Sequence, residues 1–165
     1  RTDALTGLAN RRALNEFLTN SIESVGNSMT TGLLLMDIDH FKSFNDTWGH
    51  QTGDQVIRFV ASIIGRLGAT PRFSARYGGE EFAIIMPNTD LAGATAVAER
   101  ICTAVRDLAI RHAASETSPR VSLSLGVAVR LPNAGNTPEM LIQAADSALY
   151  RAKSAGRNRV VAAEN

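Results

Sequence analysis

The sequence predicts an α+β domain. Its centre is a mostly antiparallel sheet flanked by helices, with a ferredoxin-like split β-α-β core to which a helix and strands are added. Three observations predict it. Apolar residues recur at helical spacing in four segments, and between these lie solid apolar runs or strictly alternating ones. The order is a helix, then β-α-β-β-α-β, then a further helix and strand, which is a split β-α-β unit with additions. With 165 residues, 44% apolar and 20% charged, the chain suits one domain over 1–165 that buries about 70% of its unfolded surface.

The elements follow in order. Asn10 is placed to cap a first helix on which Leu14, Phe17, Leu18, Ile22 and Val25 repeat at helical spacing, ended by Gly26 and Asn27. Thr31 to Asp37 is apolar up to its last residue, as expected of a central strand covered on both faces. A short segment carries Phe41 and Phe44. Thr52 and Gln55 then offer a capping box for a long helix whose buried side is Val56, Phe59, Val60, Ile63, Ile64 and Leu67, with Gly68 and Pro71 as its stop. Arg72 to Tyr77 and Glu81 to Met86 flank Gly78-Gly79, which reads as a hairpin. Thr89 opens a helix with Leu91, Ala94, Ala98, Ile101, Val105 and Leu108 on one side, and Cys102 falls on that buried stripe. Val121, Leu123, Leu125, Val127 and Val129 alternate strictly and predict a half-buried strand. Thr137-Pro138 starts the last helix, with Met140, Leu141, Ala144, Ala145, Ala148 and Leu149 on one face, and Gly156 ends it before a strand near Arg159 to Ala162.

Charge and composition narrow the function. Seventeen Lys and Arg against sixteen Asp and Glu give a formal charge of +1 with no basic block, so a nucleic-acid polymer is not expected as a partner. A single cysteine excludes an intrachain disulfide framework and a Cys-based zinc site. Neither a membrane-length apolar run nor a signal peptide is visible. The chain opens at Arg1, which leads to the expectation of a domain excised from a longer protein.

In the predicted topology the first strand lies antiparallel beside the third, which brings Asp37 opposite Glu80 and Glu81. Three acids at one sheet edge repel unless a cation sits among them, and a hard divalent ion with positions open for phosphate oxygens suits such a set. Solvated strand ends are the plain alternative. Gly78 and Gly79 let a phosphate approach the backbone closely. His40 and His112 show no ligand spacing and are expected at the surface. Phe41, Phe44 and Phe82 read as core or pocket wall, and Trp48 as structural.

Arg76-Tyr-Gly-Gly-Glu-Glu-Phe82 resembles the signature of the GGDEF family of diguanylate cyclases, in its GGEEF form. Asp3-Ala-Leu-Thr-Gly-Leu-Ala-Asn-Arg-Arg12 is similar to the family's opening motif, and Asp37-Ile-Asp-His-Phe-Lys42, Asn45-Asp46 and Gly49-His50-Gln-Thr-Gly-Asp54 to its metal and guanine segment. Asp146-Ser-Ala-Leu-Tyr-Arg-Ala-Lys153 with Gly156-Arg-Asn158 is similar to its closing motif. The resemblance implies a nucleotidyl-cyclase-like fold and condensation of two GTP into cyclic di-GMP with loss of two pyrophosphates. It implies that Asp37, the Ile38 carbonyl, Glu80 and Glu81 hold Mg²⁺ or Mn²⁺, with Glu80 also given the role of base. Asn45 and Asp54 would meet guanine with His50 nearby and Phe41 as wall, Gly78 and Gly79 would admit the nucleotide, and Lys42, Lys153 and Arg157 would meet phosphate. One domain holds one GTP, so a homodimer is implied, as are an upstream sensory or regulatory region and a cytoplasmic site of action. The family's product-inhibition motif Arg-x-x-Asp is missing, with Ala69 and Arg72 in its place. A non-catalytic module binding GTP or cyclic di-GMP is the alternative, and retention of every signature acid and glycine favours catalysis over it.

Overall fold

Asn10 caps the first helix as expected. Its Oδ1 accepts from the Ala13 amide at 2.9 Å, and α1 (Arg11–Ser24) follows. The computed structural model describes residues 1–24, 29–112, 119–132 and 134–164, so the helix end expected at Val25, Gly26 and Asn27 lies outside the described residues. β1 (Thr31–Ile38) is buried along its whole length. Leu34, Met36 and Ile38 enter one core and Leu33 and Leu35 the other, each buried aliphatic side chain contributing about 1.5–3 kcal/mol.

The segment with Phe41 and Phe44 is itself a helix, α2 (Phe41–Trp48), and α3 (His50–Leu67) begins two residues later. The expected capping box is not formed, since Thr52 and Gln55 lie inside α3 and its N-cap is Gly49, with no side-chain cap bond. Gly49 holds φ 88°, a left-handed turn open to glycine, and its amide closes α2 on the Asn45 carbonyl at 2.7 Å. The junction is thus made by backbone rather than by hydroxyl and amide side chains. Phe59, expected inside, is 55% exposed, because the buried stripe of α3 passes through Val56, Ile57, Val60, Ala61 and Ile64.

β2 (Phe73–Arg76) and β3 (Glu81–Pro87) form the expected hairpin. α4 (Leu91–Asp107) is capped by Asp90, whose side chain accepts from Gly93, while the Thr89 hydroxyl donates to the Pro87 carbonyl. β4 (Leu123–Arg130) is buried on both faces rather than one. The residues between its large ones are small, and α5 (Pro138–Ser154) lies so close that a Cβ on Gly126 would meet the Ala145 carbonyl at 2.3 Å. Thr137 caps α5 with Pro138 in its first turn, as read from sequence. Met140 and Leu108 are exposed to 51% and 37%, at element ends beyond the reach of the core. β5 (Arg159–Ala162) pairs parallel to β4 with α5 as the crossover.

The sheet order is β2-β3-β1-β4-β5, antiparallel except for the last pair. The core containing α2, α3 and α4 covers one face and that containing α1 and α5 the other. Cys102 is buried and free. His112, expected at the surface, is 1% exposed, its ring edge-on to Phe44 and its Nε2 3.0 Å from the His40 carbonyl. No helix among the described residues is long and apolar enough to cross a membrane.

Candidate active site

The antiparallel register sets Asp37 opposite Glu81, and the Ile38 amide donates to the Glu80 carbonyl at 3.1 Å. The sheet edge foreseen for the three acids therefore exists. Beside it a cleft of about 430 Å³ opens between α2, α3 and the hairpin. α2 contributes Phe41, Lys42, Asn45 and Asp46, α3 contributes His50, Asp54 and Ile57, and the hairpin side contributes Arg76, Gly79 and Glu80. Seven residues expected in the site thus line one cleft: Phe41, Lys42, Asn45, His50, Asp54, Gly79 and Glu80.

Local packing fixes the shape of this cleft. A Cβ on Gly53 would stand 1.8 Å from Asn45 Oδ1, so only glycine lets α3 pass the amide there. Asn45 Oδ1 is buried and unpaired among the described residues, an acceptor whose desolvation costs about 1–3 kcal/mol until a donor meets it. The hairpin is braced from the N-terminal segment. The Arg76 guanidinium donates to the Gly79 carbonyl at 2.7 and 3.2 Å and to the Asp3 carboxylate at 3.3 and 3.4 Å. Burial pushes the Asp3 carboxyl up, but bonds from the Thr6 hydroxyl and amide and the Arg76 charge outweigh it and hold Asp3 below its usual value.

The acids themselves diverge. Glu80 faces the cleft, whereas Glu81 folds back where a Cβ on Gly78 would meet its Oε1 at 2.1 Å and lines a larger cavity of about 580 Å³ between α1 and α5. That cavity, with Arg11 over Tyr77 as one wall, holds none of the other expected residues. Asp37 is bonded to the Lys153 ammonium. Burial raises the Asp37 carboxyl to about 6, with Lys153 opposing and the charges of Glu80 and Glu81 adding to the rise. Among the described residues no group of three or more His, Cys, Asp or Glu side chains is assembled for a metal ion. The donor chemistry nevertheless fits a hard cation: oxygen ligands stand on adjacent strands, and Asp37 already pairs with a positive group, the Lys153 ammonium. Arg157 lies in the turn after α5 and, like Lys153, is not among the residues that line the cleft.

Sequence reasoning missed Arg76, Asp46 and Ile57 as cleft residues. It also missed Asp39, which is 3% exposed and bonded to Ser122, Ser124 and the Asn158 amide. No local signal marks Asp39, whose partners stand 83, 85 and 119 residues away.

The fold is an α+β domain with its cleft set against the hairpin, and the chain belongs to the GGDEF family, described as "Diguanylate cyclase, GGDEF domain", which matches residues 1–159. It is 42% identical over 165 residues to the response regulator PleD of Caulobacter vibrioides, covering 97% of this chain and 35% of PleD. It is 42% identical over 160 residues to the probable diguanylate cyclase DgcT of Escherichia coli, covering 96% of this chain and 35% of DgcT. Among solved structures, the GGDEF domain of DgcB from Caulobacter crescentus, in complex with c-di-GMP, superposes with a TM-score of 0.90 at 46% identity over 99% of this chain and 93% of that one. The chain spans about a third of the length of the curated relatives it matches.

Proposed function

We propose that this domain is a diguanylate cyclase, condensing two GTP into cyclic di-GMP with release of two pyrophosphates. The observation that carries the reading is the shared cleft, in which the unpaired acceptor of Asn45, the carboxylate of Asp54 and the hairpin acid Glu80 meet. An ionised Asp54 accepts from the guanine N1–H and exocyclic amine, a donor pair that adenine lacks. Asn45 Oδ1 takes a further guanine donor, with Phe41 as wall and His50 alongside. Gly79, with nothing within 4 Å of a would-be Cβ, leaves backbone open to the nucleotide.

Each 3′-oxygen attacks the α-phosphorus of the other nucleotide; a P–O bond forms, the bond to the pyrophosphate oxygen breaks, and Glu80 takes the hydroxyl proton. Lys42, Lys153 and Arg157 meet the phosphates, Lys153 exchanging Asp37 for a phosphate oxygen as it does so. Mg²⁺ or Mn²⁺ would be held by Asp37, the Ile38 carbonyl and Glu80, and by Glu81 once its side chain turns from the cavity between α1 and α5, and would supply charge neutralisation at the phosphoryl oxygens together with a more acidic 3′-hydroxyl. One cleft takes one GTP, so two copies face each other across a two-fold axis for reaction. GTP supply sets the site of action in the cytoplasm, and an upstream region would govern the pairing.

The test incubates the purified domain with GTP and Mg²⁺ at high protein concentration and weighs the products. Cyclic di-GMP and pyrophosphate in a ratio of about one to two, from the balance of the reaction, is the expected result. Tight GTP binding without turnover would make the chain a regulatory module, and a monomeric cyclic nucleotide would make it a different cyclase.

A further inference from the structure

Asp39 is a buried carboxylate whose three partners come from two distant parts of the chain. The Ser124 hydroxyl donates to Oδ1 at 2.5 Å, and the Ser122 hydroxyl and the Asn158 backbone amide donate to Oδ2 at 2.7 and 2.9 Å. Its own amide donates to the Ser122 carbonyl at 2.9 Å. The peptide it grips joins Arg157 to Asn158, both left-handed, with φ of 63° and 49°. Asn adopts that conformation readily, but Arg keeps it only where its surroundings favour it. Two further bonds act on the same turn: the Arg106 guanidinium donates to Asn158 Oδ1 at 3.3 Å, and the Arg157 amide donates to the Ala152 carbonyl at 2.9 Å.

The sheet register shows where this turn stands. Glu81, Asp37, Ser124 and Arg159 lie side by side across four strands. The turn that ends at Arg159 therefore opens at the same sheet end as Asp37, with Lys153 already on it. The first acid of Asp37-Ile38-Asp39 holds a cation of α5 directly, and the second holds the peptide that follows a cation.

Resting on the GTP reading above, we infer that Asp39 is a positioning residue for phosphate recognition: its hold on the Arg157–Asn158 peptide fixes the turn that carries Arg157 at the sheet end where Lys153 stands, so that both cations meet the triphosphate from an ordered frame. A loose turn would leave Arg157 to be ordered at each binding event, and the lost freedom would oppose the contact. Asp39 touches no nucleotide in this assignment. Its effect should therefore scale with the phosphates and not with the base.

Asp39→Asn tests it, since the amide keeps the volume but turns an NH₂ toward one of three donors. Binding is measured for 3′-deoxy-GTP, which lacks the attacking hydroxyl, and for GMP, both with Mg²⁺, alongside a melting curve. The triphosphate should lose about tenfold in affinity, as for a weakened charge-assisted contact, with GMP changed by less than about twofold. Arg157→Ala should lose a similar factor, and the double variant little more than either single one, because both act through one contact. Equal losses for the two nucleotides, or fully additive losses in the double variant, would overturn the assignment by making Asp39 a general support of the fold. Hydrogen exchange at the Asn158 amide gives a readout free of nucleotide and, in the parent protein, independent of whether the variant folds. Slow exchange in the parent and fast exchange in Asp39→Asn is expected, and fast exchange in the parent would refute the grip. A parent protein that protects this amide yet prefers GMP would sink the GTP reading, and with it the phosphate role, while leaving the anchored turn intact.

Discussion

Glu80 is the side chain whose change should stop the chemistry and spare the fold. It sits on the hairpin facing the cleft, so Glu80→Gln removes a charge without opening a cavity. Turnover should fall by about 10²-fold or more, with an unchanged melting temperature, as measured by product formation and calorimetry. Asp54→Asn separates bases: its NH₂ opposes a guanine donor, so GTP binding should weaken by about 1–3 kcal/mol while ATP binding barely moves. Equal effects on both nucleotides in a titration would make Asp54 a general support of the cleft rather than a reader of guanine. Asp54 was reached only through the family resemblance, since it lies inside α3 beyond its first turn, whereas Glu80 was legible because strand ends and a glycine pair are local signals. Asp39 and Arg76 were not, because their partners stand 85 and 73 residues away. Satisfaction of a buried polar group is a property of the assembled fold, and no periodicity along the chain encodes it.

Between elements, the legible parts were those with long apolar stripes, and the misread parts were junctions. α2 was too short to show a period, and the start of α3 depends on Gly49 at φ 88° instead of on Thr52 and Gln55. Alternation along β4 was real but its exposure was not, since Gly126 and its small neighbours admit α5. The hairpin illustrates how one element depends on another. Asp3 receives Thr6 and Arg76, and Arg76 passes the restraint to the Gly79 carbonyl. Asp3→Asn should therefore lower stability by about 1–2 kcal/mol and lower turnover as well, because the hairpin acid Glu80 loses its support. The pH dependence has a definite sign. The Asp3 carboxyl is depressed in the folded state, so its contribution is full above the ordinary value of 3.8 and is lost as pH falls through the lower folded value. Denaturation of both proteins across acid pH checks this: the gap between them should close toward low pH, and a constant gap would refute the ionic role.

For the molecule as a whole, the remaining question is what its product does to it. Many members of this family carry an Arg-x-x-Asp motif ahead of the glycine pair, where the Arg can bind a phosphate or guanine face of the cyclic dinucleotide and the Asp can accept guanine donors. Here Ala69 and Arg72 hold those positions, so the acceptor is replaced by a cation. The fold gives that cation another task. The Arg72 guanidinium donates to the Leu67 carbonyl at 2.8 Å, closing the exposed end of α3 beside Gly68, where unpaired carbonyls favour a positive charge. A side chain engaged at a helix end and bearing the wrong sign for guanine recognition does not replace the missing acceptor, so on the proposed reading the product is expected to compete at the cleft. Titrating cyclic di-GMP into nucleotide-free protein should give weak binding that GTP displaces and that Asp54→Asn weakens further. Replacing both positions, Ala69→Arg with Arg72→Asp, should create a second and tighter phase that Asp54→Asn leaves untouched. A tight isotherm with about two ligands per chain in the unaltered protein, in the manner of a stacked dinucleotide pair, would show that this domain closes its feedback loop through other residues.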